Sequence, residues 1–407
     1  MSIRVRTNYL VIAACFYLTL SFALAVSVEC AETPKEIKIG TSILLTGKGA
    51  AFGPYMKWGY STPIDDINKS GGLYLSKYGK KLPVNLIVYD DESRPEKAAQ
   101  NIERLILKDK VCALLSPAGP PTVIPTGIIA EREKIPMVAA LCPIRAFLSA
   151  GKQWNYVWDV FFDELEMTEQ QFLLMDTVES NRKVALFTNN DPDGVVMGNF
   201  WSKNAQKFKY EVVYHAKFPV MTTEFSDLIR RAQEGQAEIM IGQCYVPEAI
   251  ALWRQMRVLG YKPKAAFFEK GGEPAEWWKA NGQAAQGTCV TGYWHPSLGY
   301  PGAKDLRQRF EKETGLPYSQ HIADTYAICQ ILLDAIRRAG SLDPKEINGA
   351  ISETNKTFVV GPVKFKRGGP DGNTCGLSSV VLQWQNGETQ IVYPKKLATA
   401  GFICPLP

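Results

Sequence analysis

The 407-residue sequence predicts an α/β fold with two doubly wound lobes, each built on a parallel sheet with helices on both faces. Three observations lead to this prediction. Short apolar runs alternate with segments of helical periodicity after residue 34, and the same alternation recurs in the middle third of the chain. No Ser-, Gly- or Pro-rich linker separates the two parts. The chain is therefore expected to cross between the lobes more than once.

The first third of the chain alternates strands and helices in a regular order. EIKIGTSILL is a strand that leads into a helix from about Tyr55 to Lys69, which ends at Gly71-Gly72. The strand LPVNLIVYDDE precedes a helix that we expect to begin with a capping box, because Ser93 and Glu96 have the required spacing. VCALLS and IPMVAALC are further strands, with the helical segment TVIPTGIIAEREK between them.

The rest of the chain repeats this pattern and then changes. KVALFTNND, YEVVYHAKF, AEIMIGQCY, KAAFFEK and TCVTGYW are strand candidates. Two long helices follow, over 303–313 and 322–339, and Asp343 with Pro344 begins a shorter one. The tail alternates polar and apolar residues around Asn386-Gly387, which predicts a β-hairpin.

The first 30 residues have the layout of a secretory signal peptide. Arg4 and Arg6 precede a mostly apolar run over residues 9–28, and small residues follow before the polar AETPKE. An uncleaved membrane anchor is the competing interpretation, because the run approaches the length that spans a bilayer. No later segment is long and apolar enough to span, so the mature protein is expected outside the cytoplasm.

Composition and motifs argue against several classes of protein. The net charge is +5, and the basic residues are scattered among nearly as many acidic ones. No nucleic-acid-binding surface is therefore expected. The nine cysteines lack C-x-x-C spacing, and neither a metal site nor a cofactor is predicted. Cys375 and Cys404 are the one suggested disulfide. With three histidines, no HExxH and no G-x-S-x-G, the chain is not expected to be an enzyme. Cys142 with His321 is the one conceivable nucleophile pair.

The stretch SILLTGKGAAFG, residues 42–53, suggests a phosphate-binding loop at first sight. A Walker loop needs G-x-x-x-x-G-K-[ST], but Ser42 stands at the first Gly position and Gly49 at the Ser/Thr position. The dinucleotide pattern G-x-G-x-x-G fails as well, because Phe52 stands where the third Gly belongs. The loop is interpreted instead as a compact turn.

LTGKGAAFG, GYSTPIDDINKSGGL and VNLIVYDDESRPEKAAQ, in this order, resemble the periplasmic binding proteins of the branched-chain amino-acid (leucine/isoleucine/valine) type. These are the substrate-capturing subunits of ABC importers, and the resemblance extends to about Tyr393. It implies the type I fold, in which three hinge crossovers join two lobes that close on a small ligand. Lobe one is placed at 34–157 and 294–374, lobe two at 158–293 and 375–397, and a tail at 398–407.

The resemblance also implies a function. The protein would bind a small organic ligand (an amino acid, an amide, or an aromatic or aliphatic carboxylate) in the periplasm. It would deliver that ligand to membrane-embedded ABC permease subunits served by cytoplasmic ATPases. The alternative is a ligand sensor of the same fold that reports to a receptor or regulator.

In lobe one, the matching family loop is SPAG. There Ser116, Ala118 and Gly119 would hold a ligand carboxylate through a hydroxyl and free backbone N–H groups. The alternative is a merely tight turn. Leu141 and Cys142 stand where the family usually offers a small residue and a hydroxyl. Phe52 matches an aromatic lid but fits a core residue equally well.

In lobe two, Asp193 stands where the family commonly carries a Tyr, and a helix N-cap is its alternative role. Tyr245 matches a cleft Tyr. Amino-acid binders place an acid near Lys270 to neutralise the ligand's ammonium. An inward Glu269 would suit an amino acid, whereas an inward Lys270 would favour an anion without an ammonium. Both side chains are equally explained as solvated surface charges. His321 matches a position that usually holds an aromatic facing the ligand.

Overall fold

The computed structural model describes residues 34–150, 153–366 and 372–407, and their strands form two large sheets and two short hairpins. The signal peptide predicted over residues 1–30 lies outside the described residues. No helix in the described part of the chain has the length and apolar character needed to cross a membrane.

The first sheet contains six strands, each parallel to its neighbours. They are β1 (Ile37–Ile43), β4 (Val84–Asp90), β5 (Ala113–Leu115), β6 (Met137–Ala139), β7 (Val157–Phe162) and β15 (Thr374–Leu377). Their spatial order is β15-β7-β6-β5-β1-β4. Because the strands run in one direction, the loops that follow them all emerge at one edge.

The second sheet contains seven strands. They are β8 (Lys183–Asn189), β9 (Glu211–Phe218), β10 (Ile239–Cys244), β11 (Ala265–Lys270), β12 (Cys289–Gly292), β16 (Val380–Gln385) and β17 (Glu388–Tyr393). Their order is β17-β16-β12-β11-β10-β8-β9, with β8 to β12 parallel and β16 and β17 antiparallel to their neighbours. The small hairpins pair β2 (Leu73–Leu75) with β3 (Lys80–Leu82), and β13 (Asn355–Phe358) with β14 (Gly361–Lys364).

Twelve α-helices of the described residues connect and cover the sheets. They are α1 (Gly53–Lys69), α2 (Pro95–Leu107), α3 (Pro120–Glu133), α4 (Ile144–Ser149), α5 (Glu164–Met175), α6 (Pro192–Lys207), α7 (Ser226–Glu234), α8 (Val246–Val258), α9 (Ala275–Asn281), α10 (Ala303–Thr314), α11 (His321–Ala339) and α12 (Pro344–Ser352).

The described chain passes between the sheets three times: from β7 to β8, from β12 to β15, and from β15 to β16. The lobe boundaries stay a prediction, and those at 157/158 and 374/375 fall just after the first residues of β7 and β15. Both strands pair within the first sheet. Strand β7 was not predicted from the sequence, and the predicted lobe boundary at 157/158 divides its residues VWDVFF.

Two local predictions are confirmed and one is wrong. Asn386 and Gly387 have positive φ angles of 56° and 93° and connect β16 to β17. The carboxylate of Asp343 accepts a hydrogen bond from the Lys345 N–H at 2.8 Å and so begins α12. The capping box at Ser93 is wrong, because α2 begins at Pro95 with no side-chain cap.

The suggested disulfide between Cys375 and Cys404 is also wrong, since both thiols are free. Cys375 lies in β15 of the first sheet. The Sγ atom of Cys404 lies 3.5 Å from the carbonyl of Lys264, next to β11 of the second sheet. Cys375 thus belongs to the first sheet, whereas Cys404 lies in the C-terminal tail beside the second sheet.

Helices α1 and α11 pack closely against each other at Gly59 and Thr325 in the core of the first sheet. A Cβ atom at Gly59 would lie 2.0 Å from the Oγ1 atom of Thr325, so only glycine fits without a shift of the helices. We expect Gly59→Ala to lower the free energy of unfolding by about 1–3 kcal/mol, as overpacking does in well-filled cores. Urea denaturation measures this loss.

Gly349 in α12 is the matched control for that variant, because a Cβ atom there would meet nothing within 4 Å. We expect Gly349→Ala to be neutral or stabilising by up to about 1 kcal/mol, since alanine has the higher helix propensity. Equal unfolding energies for the two variants would show that the helices separate easily at Gly59.

Candidate functional site

A cavity of about 160 Å³ lies where loops from the carboxyl ends of both sheets meet. In α/β sheets this edge is where ligands bind. Much of its wall is apolar, with contributions from Leu44, Phe52, Leu141, Phe161, Phe162, Met167, Met197 and Val290. The volume is close to that of a roughly 150 Å³ protein cavity that accepts benzene, so the space suits a ligand body of about one ring.

The glycine-containing loop after β1 is fixed by the residues that follow β4. The Asp90 carboxylate accepts hydrogen bonds from the Leu45 and Thr46 N–H groups at 3.1 and 3.2 Å, and from the Thr46 hydroxyl at 2.7 Å. The Ser93 hydroxyl donates to the Thr46 carbonyl at 2.7 Å. Gly47 has a φ of 86°, and a Cβ atom there would lie 2.3 Å from the Glu92 carbonyl. The loop is thus held as a compact turn at the cavity.

Phe52 lies in the cavity wall and also packs against the core of the first sheet. Its ring meets that of His321 edge to face, with 4.9 Å between the ring centroids. The two roles considered for Phe52, a cleft residue and a core residue, are therefore combined in one side chain.

The SPAG loop differs from its prediction in its free donors. Ser116 is buried and does not line the cavity, and its hydroxyl exchanges hydrogen bonds with the Ala140 backbone at 3.2 Å. Its N–H donates to the Val138 carbonyl, and the Gly119 N–H donates to the Leu141 carbonyl. The prediction that Ser116, Ala118 and Gly119 have free N–H donors is therefore wrong for Ser116 and Gly119. Ala118 and Gly119 do line the cavity, and the Ala118 N–H has no protein acceptor in the described structure.

Leu141 lines the cavity, whereas Cys142 does not. Burial raises the pKa of the Cys142 thiol well above its usual value, and the charge of Asp159 adds to the effect. A thiol that stays protonated is a poor nucleophile. His321 lines the cavity without Cys142, so the conceivable nucleophile pair has no shared access to a ligand there.

Lys270 and Asp193 form an ion pair in the wall contributed by the second sheet. The Nζ atom of Lys270 lies 2.9 Å from Oδ2 of Asp193, which also accepts a hydrogen bond from Gln243 at 2.8 Å. The same Nζ lies 4.2 Å from the centroid of the Tyr245 ring. Burial alone would lower the pKa of Lys270, but the charges of Asp193 and Asp191, the contact with Tyr245 and the hydrogen bond to Asp193 together produce a net increase, so the ammonium stays charged. Asp193 is not the N-cap of α6, because Asp191 takes that place.

The backbone at Lys270 is in the left-handed region, with a φ of 65°. Residues other than glycine adopt this conformation rarely, and it is concentrated at functional sites. A Cβ atom at the next residue, Gly271, would lie 2.7 Å from the Cys244 carbonyl and 2.8 Å from that of Tyr245. This close backbone approach sets the segment after β11 directly beside Tyr245.

Glu269 turns inward beside Lys270, but its carboxylate is occupied by the protein. It accepts hydrogen bonds from the Thr291 N–H at 2.9 Å, from the Thr291 hydroxyl at 2.8 Å and from the Gln171 amide. Burial raises the pKa of Glu269 to about 7, and these hydrogen bonds limit the increase. Both residues that the sequence offered as alternatives therefore line the cavity, in different roles.

His321 belongs to a buried polar group at the start of α11. The Tyr293 hydroxyl contacts the Nδ1 atom of His321 at 2.7 Å and donates a hydrogen bond to Asp324. The Glu273 carboxylate lies 3.9 Å from Nε2 of His321 and accepts hydrogen bonds from the Ser319 hydroxyl and the Gln320 N–H. Burial lowers the pKa of His321, but the bond with Asp324 and the charge of Glu273 produce a net increase.

Sequence reasoning missed several residues of the wall. Lys48 and Gln243 line the cavity, as do Phe161, Phe162 and Met167 at the first passage between the sheets. Gln243 lies within β10, and Phe161 and Phe162 end β7. The ends of strands were the available signal, and it was lost at β7 because that strand was not predicted. In the described part of the chain, no three or more His, Cys, Asp or Glu side chains are arranged so that they could hold a metal ion.

Comparisons with known proteins agree with this arrangement. The family model described as periplasmic binding protein matches residues 36–388. A Leu/Ile/Val-binding protein homologue of Brucella abortus is 25% identical over 356 residues, covering 87% of this chain and 91% of the relative.

Two solved structures share the fold. The substrate-binding protein of a Streptococcus pneumoniae branched-chain amino acid transporter, in complex with isoleucine, has a TM-score of 0.77 at 19% identity, covering 88% of this chain and 100% of that one. A solute-binding protein of a Rhodopseudomonas palustris ABC transporter, in complex with 3,4-dihydroxybenzoic acid, has a TM-score of 0.72 at 17% identity and covers 88% and 95%. With its two sheets and three crossovers, the chain has the type I fold and belongs to the periplasmic binding protein family.

Proposed function

We propose that this protein captures a small organic solute in the cavity between the two sheets and delivers it to the permease of an ABC importer. The observation that carries the proposal is that both sheets contribute residues to the cavity wall. Phe52 and Leu141 come from loops of the first sheet, whereas Tyr245 and Lys270 come from the second. A ligand held from both sides stabilises the closed arrangement selectively, which is the condition for ligand-driven closure.

The relatives indicate the range of solutes. The Streptococcus pneumoniae protein holds isoleucine, and the Rhodopseudomonas palustris protein holds 3,4-dihydroxybenzoic acid. Amino acids, amides, and aromatic or aliphatic carboxylates are therefore the classes to test. The volume of about 160 Å³ limits the solute to about one ring or a short branched chain.

The proposal includes a location and partners. Family membership implies a place outside the cytoplasm, and the N-terminal pattern in the sequence favours export to the periplasm. There the closed, liganded protein would dock on membrane-embedded permease subunits driven by cytoplasmic ATPases.

A thermal-shift screen of the purified protein lacking residues 1–30 tests capture. A solute at 100 times its Kd stabilises the folded state by about 2.7 kcal/mol, which raises the midpoint of thermal unfolding by several degrees. No shift with any member of the three solute classes would contradict the proposal.

Delivery is tested with the ABC permease and ATPase of the same organism in proteoliposomes. We expect solute uptake only when the binding protein and ATP are both present. A protein that binds the solute tightly but leaves uptake and ATP hydrolysis unchanged would favour the sensor function instead.

A further inference from the structure

The three carboxylates of the cavity wall already accept hydrogen bonds from the protein. Asp193 accepts from Lys270 and Gln243, both on Oδ2, and its charge is paired with that of Lys270. Glu269 and Glu273 each accept from protein donors on both of their oxygens. A ligand ammonium needs a buried carboxylate whose charge is free to pair with it. Both oxygens of Glu269 and Glu273 are occupied, and an ammonium at Asp193 would compete with the ion pair to Lys270.

The two lysines of the wall, in contrast, have ammonium N–H donors that the described part of the protein leaves unused. The Lys270 ammonium has three N–H donors, and Asp193 is its one hydrogen-bond acceptor among the described residues. Lys48 has no ion-pair partner in the part of the chain that the structure describes, and its Nζ atom lies 5.2 Å from the centroid of the Tyr245 ring. Within the described structure, the wall thus offers ammonium N–H donors that no protein acceptor occupies.

The two lysines reach the Tyr245 ring from different sheets. Lys48 belongs to the loop that Asp90 fixes after β1, and Lys270 ends β11. An acceptor placed beside this ring would lie near two ammonium groups, one carried by each sheet. Such a ligand links the two parts of the chain through charge as well as through apolar contact.

We propose that the ligand is a small organic carboxylate without an ammonium group, held between Lys48 and Lys270, with an apolar body of about one ring against Phe52 and Met197. This inference rests on the proposed function and narrows it to one class of solute. An α-amino acid is disfavoured because its ammonium would face two like charges and, in the described wall, no carboxylate without a partner.

Calorimetry with ligand pairs that differ only in the ammonium tests the inference. The pairs are 4-methylpentanoate with leucine and 3-phenylpropanoate with phenylalanine, and 3-phenylpropanamide serves as the neutral analogue. We expect at least one acid to bind at least 100-fold more tightly than its amino acid and at least 10-fold more tightly than its amide.

Two variants test the role of the lysine in the glycine-containing loop. Lys48 is exposed, so Lys48→Met leaves the core intact. We expect it to weaken binding of the preferred acid about 10-fold. Lys57→Met on α1 is the matched control, because Lys57 is exposed and lies outside the cavity wall. It is expected to leave that affinity unchanged.

The outcomes separate this inference from the proposed function. If leucine or phenylalanine bound as tightly as its deaminated partner, the proposal of an anionic ligand would be overturned but solute capture would not. The same conclusion would follow if 3-phenylpropanamide bound as tightly as 3-phenylpropanoate. Unchanged affinity in Lys48→Met would overturn the two-lysine site. Binding by no member of the three classes would overturn the inference and count against solute capture itself.

Discussion

Replacement of Lys270 by Met is expected to lower the free energy of unfolding by roughly 3 kcal/mol, the lower end of the range for one partner of a buried ion pair. The Lys270 side chain is 24% exposed and that of Asp193 is 11% exposed, so solvent only partly screens the pair. The methionine leaves the Asp193 carboxylate buried without its cation. Urea denaturation at pH 7 measures the loss, and anion binding should disappear in the same variant.

The double variant Lys270→Met with Asp193→Asn separates stability from binding. Because it removes both charges and keeps an amide that can meet Gln243, we expect it to regain most of the lost unfolding energy. Binding should stay absent, since the cation is still missing. If Lys270→Met alone cost less than about 0.5 kcal/mol, as a surface ion pair does, Asp193 would have to be reached by water.

Replacement of Glu269 by Gln is expected to stabilise the protein by an amount that grows as the pH rises from 5 to 8. Burial raises the pKa of Glu269 to about 7, so the native state binds a proton more tightly than the unfolded chain does. Between the unfolded pKa and about 7, the stability of the native protein therefore falls with rising pH. Glutamine has no proton to lose and avoids that cost.

The gain at pH 8 should be on the order of 3 kcal/mol, since one pKa unit corresponds to about 1.4 kcal/mol. This gain is the difference between the unfolding free energies of Glu269→Gln and the native protein, each measured as a function of pH. The difference is needed because other buried groups also titrate in this range. Glu164, whose pKa burial raises to about 7, shifts stability in the same direction. His295, whose pKa burial lowers to about 4, shifts it in the opposite direction.

Glu234→Gln on the exposed side of α7 is the matched control, and its curve should follow that of the native protein. If the Glu269→Gln and native curves ran parallel from pH 5 to 8, Glu269 would titrate as it does in water. The carboxylate of Glu269 would then be in contact with solvent.

Features that depend on neighbours in sequence could be predicted. The apolar runs indicated most strands of both sheets, and Asn386-Gly387 determined a hairpin through its own backbone preferences. The positions after strands led to Tyr245 and Lys270, because parallel strands bring their following loops to one edge. None of this required knowledge of distant contacts.

Features that depend on pairing between distant segments could not be predicted. The Ser116 N–H is occupied because β5 lies beside β6, which places Val138 opposite it. The Glu269 carboxylate is occupied because Gln171, 98 positions earlier, reaches it from α5. Whether a polar group at the cavity is free or occupied is thus decided by strand register and helix docking, which the local pattern does not contain.

The order of strands in the first sheet has a consequence for how the chain acquires its structure. One edge of that sheet is β15, Thr374–Leu377, which pairs with β7 more than 200 positions earlier. During synthesis from the N-terminus, this sheet stays incomplete until nearly the whole chain is available, and pairings of such long range close slowly. For the export proposed above this delay is favourable, because a chain whose final strand arrives last stays incompletely folded while it is threaded through a membrane.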